Sequence, residues 1–252
     1  MTIWAIGDLH LSFGCPGKEM DKFGPHWVRH FEKIQKDWDD KVAPDDLVLI
    51  PGDISWAMHL EEAEKDLAWI AERPGTKVLI KGNHDYWWHS LSKIRKILPP
   101  SIHVLGTDAF HYNDISVCGA RLWDSQEYTF APYILISDTG NEKKAAKKDR
   151  DIEEDEKIFQ REIGRLALGL QALHKDAKIK IVLTHYPPIS ADLADSTVSK
   201  MVEAAGVHHV IFGHLHNVHA GSGEKLFGVK NDVNYQLTSC DFLNFSLLRI
   251  IP

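Results

Sequence analysis

The sequence predicts an α/β protein built in layers, and three observations lead there. Short apolar runs of strand length, such as Leu47-Val48-Leu49-Ile50 and Val78-Leu79-Ile80, each lead into a cluster of Gly, Asp, Asn or His. Between them lie stretches whose apolar residues recur at helical spacing. The resulting alternation of strand and helix is the signature of a layered α/β fold, in which ligands gather at the carboxyl edge of a sheet.

Ile3 to Ile6 is read as a short buried strand ending at Gly7-Asp8. A Gly- and Pro-rich loop over Leu11 to Pro25 leads to a helix expected at His26 to Asp40, with Trp27, Phe31, Ile34 and Trp38 on one face. Leu47 to Ile50 is the second strand and Leu60 to Glu72 the next helix, stopped by Pro74-Gly75. Val78 to Ile80 is the third strand, and Ser90 to Leu98 is a helix closed by Pro99-Pro100. Ile102 to Leu105, Phe110 to Tyr112 and Ile115 to Gly119 are short strands, with His111-Tyr112-Asn113-Asp114 as a turn candidate. A mixed-charge run over Glu142 to Glu156 opens a long helix carrying Ile152, Phe159, Ile163, Leu166, Leu170 and Leu173 on one stripe. The segment 121–160 is also a candidate cap over a site. Ile179 to Leu183 and His209 to Phe212 are strands on either side of a helix at Ser196 to Ala205. Val233 to Ser239 and Phe242 to Leu248 are expected as antiparallel strands closing a second sheet.

The chain has 252 residues, 44% hydrophobic and 26% charged, which suits a single globular domain with a substantial core. A net charge of −7 argues against a dedicated nucleic-acid binder, and no convincing basic track is visible. No run has the length of a membrane span, and the N-terminus lacks a secretory signal pattern, so a cytoplasmic location is expected. Cys15, Cys118 and Cys240 form no close pair, as expected in a reducing compartment. Cys118 and Cys240 are read as core, while Cys15 lies in a polar loop near the first motif and keeps a distant metal role open.

Five short clusters carry the chemistry: Asp8-Leu9-His10, Gly52-Asp53, Gly82-Asn83-His84-Asp85, Thr184-His185 and Gly213-His214-Leu215-His216. Singly, each has an ordinary explanation, such as a turn Asp or a structural His. Together they supply enough oxygen and nitrogen ligands for two metal ions. Asp8 and His10, spaced i, i+2 at a strand end, would share a side if extended. A carboxylate such as Asp53 can bridge two ions, and Asn83 offers a neutral amide oxygen. His84 is the candidate general acid, and Asp85 is carried beside it as a residue that orients a histidine or caps the next segment. So much imidazole suits Mn, Fe, Zn or Co and not an all-oxygen calcium site.

The ordered set Asp-x-His, Gly-Asp, Gly-Asn-His-Asp, His and Gly-His-x-His resembles the calcineurin-like metallophosphoesterase superfamily, over residues 8–216. The resemblance implies a four-layer α/β/β/α sandwich of two packed mixed sheets flanked by helices. It implies that Asp8, His10, Asp53 and His216 hold one metal, that Asp53, Asn83, His185 and His214 hold a second, and that His84 is the catalytic histidine that binds neither. After the second strand, Asp53-Ile54-Ser55-Trp56-Ala57 lacks the paired Asp and the Arg of the serine/threonine protein phosphatases of that superfamily, and Asp85 stands where those enzymes have Glu.

The expected reaction is in-line attack on phosphorus by a metal-bridging hydroxide, with His84 protonating the leaving oxygen. Trp56, Tyr86, Trp87 and Trp88 beside the motifs serve equally as a stacking rim or as core. As a rim, together with the Trp123 to Tyr133 segment, they favour a small organic or nucleotide-like phosphodiester as substrate, with Asn83, His84 and Arg121 as candidate phosphate contacts. A phosphomonoesterase and a metal-binding scaffold without turnover are the alternatives. The intact His84 counts against the scaffold, and the sequence leaves the oligomeric state open.

Overall fold

The computed structural model describes residues 1–135, 149–219 and 226–251. Two sheets form the centre of the molecule. The first has the order β11-β1-β2-β3-β4, made of β1 (Ile3–Ala5), β2 (Leu47–Ile50), β3 (Thr76–Leu79), β4 (Ile102–Val104) and β11 (Leu248–Ile251). All of its pairings are parallel except that of β11 with β1. The second has the order β5-β6-β7-β8-β10-β9, made of β5 (Ala109–Tyr112), β6 (Ile115–Ala120), β7 (Ile179–Thr184), β8 (His209–Phe212), β9 (Gly228–Lys230) and β10 (Val233–Leu237). Here β6, β7, β8 and β10 run parallel, and the outer strands β5 and β9 run antiparallel to their neighbours.

The period-two alternation of strand side chains divides the core into three seams. Ile3, Ala5, Leu47, Leu49 and Val78 of the first sheet pack face to face with Ile115, Val117, Ile181, Leu183 and Ile211 of the second. The opposite face of the first sheet, with Val48, Ile50 and Leu79, packs on the apolar sides of α1 (His30–Lys41), α2 (Leu60–Glu72) and α3 (Leu91–Ile97). The opposite face of the second sheet, with Cys118, Val182, Val210 and Phe212, packs on α4 (Asp149–Ala172) and α5 (Thr197–Ala204). Helix, sheet, sheet and helix thus stack as the four expected layers.

Local chemistry sets the helix ends. Glu62 in the first turn of α2 accepts from the amides of Met58 and His59 (2.8 and 3.2 Å). Ser196 and Ser199 cap α5 reciprocally, each hydroxyl accepting from the other's amide at 2.9 Å. α1 starts at His30 and not at His26, because Pro25–Trp27 forms a 3₁₀ turn and Arg29 takes a left-handed conformation (φ 50°) that separates the turn from the helix. Trp27 still reaches the core at 2% exposure.

The C-terminal segment departs from expectation. β10 lies parallel to β8, and β11 leaves the second sheet and completes the first. Between them, Asp241–Phe245 turns back, with Asn244 and Phe245 at φ 52° and 61°. Buried tethers hold this turn: Cys240 N–H donates to the Gly7 carbonyl (3.1 Å) and Leu247 N–H to the Asp37 carboxylate (2.7 Å). The proposed cap over 121–160 falls partly on residues 136–148, outside the described residues. Among the described residues no helix is long and apolar enough to cross a membrane.

Candidate metal centre

Each of the five clusters follows the carboxyl end of a parallel strand: β1, β2 and β3 in one sheet, β7 and β8 in the other. The two sheets therefore deliver their ligands to a common edge. The backbone at these strand ends is strained. Asp8, His10, Asp53 and His214 all have positive φ (56°, 45°, 50° and 73°), a region unfavourable for residues bearing a Cβ. Asp8 and His10 thus do not share a side through extended geometry, as the i, i+2 spacing suggested. Left-handed turns bring them to one place instead.

The side chains converge closely. His10 Nε2 and His216 Nε2 lie 3.2 Å apart, and His216 Nε2 is 3.9 Å from Asp8 Oδ1. Asn83 Oδ1 sits 2.6 Å from His185 Nε2 and 3.0 Å from His214 Nδ1. Asp53 Oδ2 stands between the two groups, 3.8 Å from His10 Nε2 and 3.4 Å from His185 Nε2. Ligand atoms of Asp8, His10 and His216, and likewise those of Asp8, Asp53 and His185, fall within 4.8 Å of one another. All seven expected ligands are brought together.

Two glycines make this approach possible. A Cβ on Gly213 would lie 2.3 Å from Asp8 Oδ2, and one on Gly82 would lie 2.1 Å from Asp53 Oδ1.

The electrostatics match a cation site. Burial pushes the Asp8 carboxyl up to about 6. Burial also disfavours charge on Asp53, yet His185 and then His10 beside it hold its carboxyl well below the ordinary range. The His185 ring is raised to about 9, since Asp53 outweighs the burial that opposes it. Burial keeps the rings of His10 and His214 neutral. In the metal-free chain a proton on His185 balances charge that a metal ion would balance. The donor set passes a second test: the Nε2 atoms of His10 and His216 turn to one point 3.2 Å apart, beside the carboxylates of Asp8 and Asp53. Carboxylate, amide and imidazole donors at these positions fit transition-metal ions.

Further contacts orient the ligands. His185 Nδ1 donates to the Pro51 carbonyl (3.0 Å), which turns Nε2 toward Asp53 and Asn83. His216 Nδ1 donates to Asp241 Oδ1 (2.8 Å), which turns its Nε2 toward His10. Asp241 also accepts from the Asn217 amide (2.9 Å). The sequence reading missed Asp241. Its one signal was an acidic residue shortly after a strand, the same signal that marked Asp8 and Asp53.

His84 lies beside the ligands, and its amide donates to Asp53 Oδ1 (2.8 Å). Its ring is half-buried, packs against Trp56 at 4.5 Å between centroids, and has Nδ1 buried without a partner. Burial lowers its pKa, so the ring is neutral at pH 7 in the metal-free chain.

Two candidate site residues are placed differently from expectation. Asp85 is fully buried, orients no histidine and contacts no ligand side chain. It accepts from the amides of Ile54 (2.9 Å), Ser55 (3.2 Å) and Gly82 (2.7 Å) and from Trp87 Nε1 (3.0 Å), which pins the second motif to the third. It is therefore a positioning residue and not a catalytic one. Arg121 holds His185 and Tyr186 through its backbone carbonyl (3.1 and 2.9 Å), while its guanidinium turns to Trp123 and Glu162 in a neighbouring cavity. Of the aromatic rim, Trp87 is core, whereas Trp56 stacks on His10 (4.9 Å) and Tyr86 is exposed near His84. Cys15, Cys118 and Cys240 are all unpaired and buried, and Cys15 lies near Asp66, apart from the ligands.

The chain is similar to several known proteins. Two phage proteins match part of the chain: the gene 66 proteins of Mycobacterium phages D29 (36% identical over 84 residues) and L5 (38% over 82 residues). These matches take in 33% and 32% of this chain, and the chain spans only about two fifths of either relative (40% and 39%). The phosphopantetheinyl hydrolase PptH of Mycobacterium tuberculosis has a similar fold, with a TM-score of 0.52 and 13% identity, across 100% of this chain and 96% of that one. The calcineurin-like phosphoesterase family matches residues 1–218, and with its motifs gathered at one edge of a double-sheet sandwich, the chain belongs to that family.

Proposed function

We propose that the chain hydrolyses a small organic or nucleotide-like phosphodiester with two bound transition-metal ions. The observation that carries this reading is the convergence of seven ligands beside a histidine that need not serve as one. Asp8, His10, Asp53 and His216 would hold one ion, and Asp53, Asn83, His185 and His214 the other. The position of Asp53 Oδ2 between His10 and His185 suits a shared carboxylate. When bound, such a pair of ions supplies Lewis acidity toward phosphoryl oxygens and makes water acidic enough to attack phosphorus near neutral pH.

The chain's own groups supply the rest. Asp53 Oδ1 fixes the His84 backbone, so the ring is presented to substrate without rearrangement. The half-buried ring leaves one edge toward the ligands' side, and in its protonated form it would hydrogen-bond a phosphoryl oxygen and pass its proton to the departing alkoxide. Trp56, with Phe23 stacked on it at 6.5 Å and Tyr86 beyond His84, forms an aromatic ledge suited to the organic group of a diester. The three unpaired thiols support a cytoplasmic setting.

The test is hydrolysis of bis-p-nitrophenyl phosphate and p-nitrophenyl phosphate by metal-stripped protein reloaded with Mn, beside His84→Ala. Preference for the diester, lost in His84→Ala, is expected. Preference for the monoester makes the chain a phosphatase, and no turnover of either with metals bound favours the scaffold.

A further inference from the structure

The cavity of about 530 Å³ that Arg121 lines is not used by the reaction described above. Its wall includes Lys81, Arg121, Arg161 and Arg165, with one carboxylate, Glu162, at 1% exposure. Three guanidiniums lean on a single oxygen of that carboxylate: Glu162 Oε1 is 2.6 Å from Arg165, 3.5 Å from Arg121 and 3.9 Å from Arg161. Within the wall one carboxylate thus stands against four cations, with Asp85 acting on Lys81 from outside it. Arg121 Nε is buried without a hydrogen-bond partner, and Lys81 makes no close ion pair among the described residues. Cations gathered around a single acid, with donors to spare, form a site prepared for a further anion.

No metal ligand lines the cavity, but two of its residues adjoin the metal centre along the backbone. Lys81 immediately precedes Gly82-Asn83-His84, and the Arg121 carbonyl holds the His185 backbone. Ile80, Trp88 and Leu91 add apolar surface to the same cavity. A ligand spanning the two sites would have a phosphoester at the metals, an organic body and a second anionic group among the arginines. Guanidinium forks match the oxygens of phosphate in pairs, which favours a phosphate as that group.

We propose that this cavity binds a second phosphate of the substrate, so that the chain acts on small-molecule phosphoesters carrying two phosphate groups. The proposal rests on the esterase reading for the word substrate, but the anion site itself does not.

Two measurements separate these claims. The first is binding of inorganic phosphate to the metal-stripped chain, compared with Arg161→Ala/Arg165→Ala and with the charge-retaining Arg161→Lys/Arg165→Lys. Wild type binds, the alanine pair weakens binding at least about tenfold, and the lysine pair recovers most of it. The second is kcat/KM of the Mn-loaded proteins on thymidine 5′-(p-nitrophenyl phosphate) with and without a 3′-phosphate. The 3′-phosphorylated ester is preferred about tenfold or more by wild type, and the alanine pair erases the preference. Equal turnover of both esters by wild type, with no phosphate bound by the stripped chain, overturns the proposal and leaves the esterase reading standing. Turnover of neither ester, with phosphate binding that depends on the arginines, supports the anion site and counts against the esterase reading.

Discussion

Replacing Asp241 with Asn tests whether a residue outside the ligand set controls one of the two metal positions. The Asp241 carboxylate accepts from His216 Nδ1 at 2.8 Å and, through its other oxygen, from the Asn217 amide at 2.9 Å. An Asn side chain can satisfy only one of these donors. Its own NH₂ group faces the other, so one hydrogen bond is lost and the survivor is no longer charge-assisted. A charge-assisted bond contributes about 1.5–3 kcal/mol and a neutral one about 0.5–1.5. The expected weakening of about 1.5 kcal/mol corresponds to roughly tenfold in metal affinity, the lower end of the range seen for residues that orient metal-bound histidines. Competition with a chelating dye for Mn reads this affinity directly. The loss should fall on one of the two binding steps, because Asp241 touches His216 and not His185 or His214. Unchanged affinity, or equal weakening of both steps in a normally folded variant, would refute the reasoning.

Other outcomes follow from the same geometry. His84→Ala should retain two metal ions while kcat falls about 10²–10⁴-fold, as measured by diester hydrolysis alongside elemental analysis. Gly213→Ala should weaken metal binding by about a hundredfold or more, since its new Cβ would sit 2.3 Å from Asp8 Oδ2 and must displace that ligand; Mn titration checks this. Asp66 is fully buried, accepts from the Ser55 hydroxyl and the Phe13 amide, and is raised by burial to about 6. A carboxyl whose pKa is raised on folding binds its proton more tightly in the folded chain, so its effect is most favourable at low pH. Stability relative to Asp66→Asn should therefore fall by up to about 3 kcal/mol as pH rises from 4 to 6, measured by urea unfolding at each pH. A difference that rises over that window would contradict the assignment.

What the sequence made legible, and what it did not, divides along physical lines. The ligands Asp8, Asp53, Asn83, His185 and His214 stood out because a polar, metal-competent residue just after a buried strand has little local reason to be there. Parallel strands then guarantee that such ends meet. The helix at Leu60 to Glu72 was legible to the residue because its apolar period and its Pro-Gly stop agree. The run Phe242 to Leu248 misled, since its apolar content fits a strand while its shape is set by distant contacts: Phe245 packs on Trp27 at 5.2 Å, and the Leu247 amide is held by Asp37. The same turn hid Asp241, whose role depends on where that turn places it. Arg121 was singled out as a phosphate contact at the metals, whereas its guanidinium turns to Trp123 and Glu162. Its true setting required α4, which brings Arg161, Glu162 and Arg165 against a strand end far away in sequence. Asp85 shows the reverse case, an acid inside a motif whose work is to join two backbone segments.

The most direct test of the central claim is the number of metal ions held per chain. The stripped protein is equilibrated with Mn, freed of loosely bound metal, and measured by elemental analysis against protein concentration. Two ions per chain for both wild type and His84→Ala are predicted, because seven ligands converge and His84 is not among them. One ion or none bound by the folded wild-type chain would contradict the account.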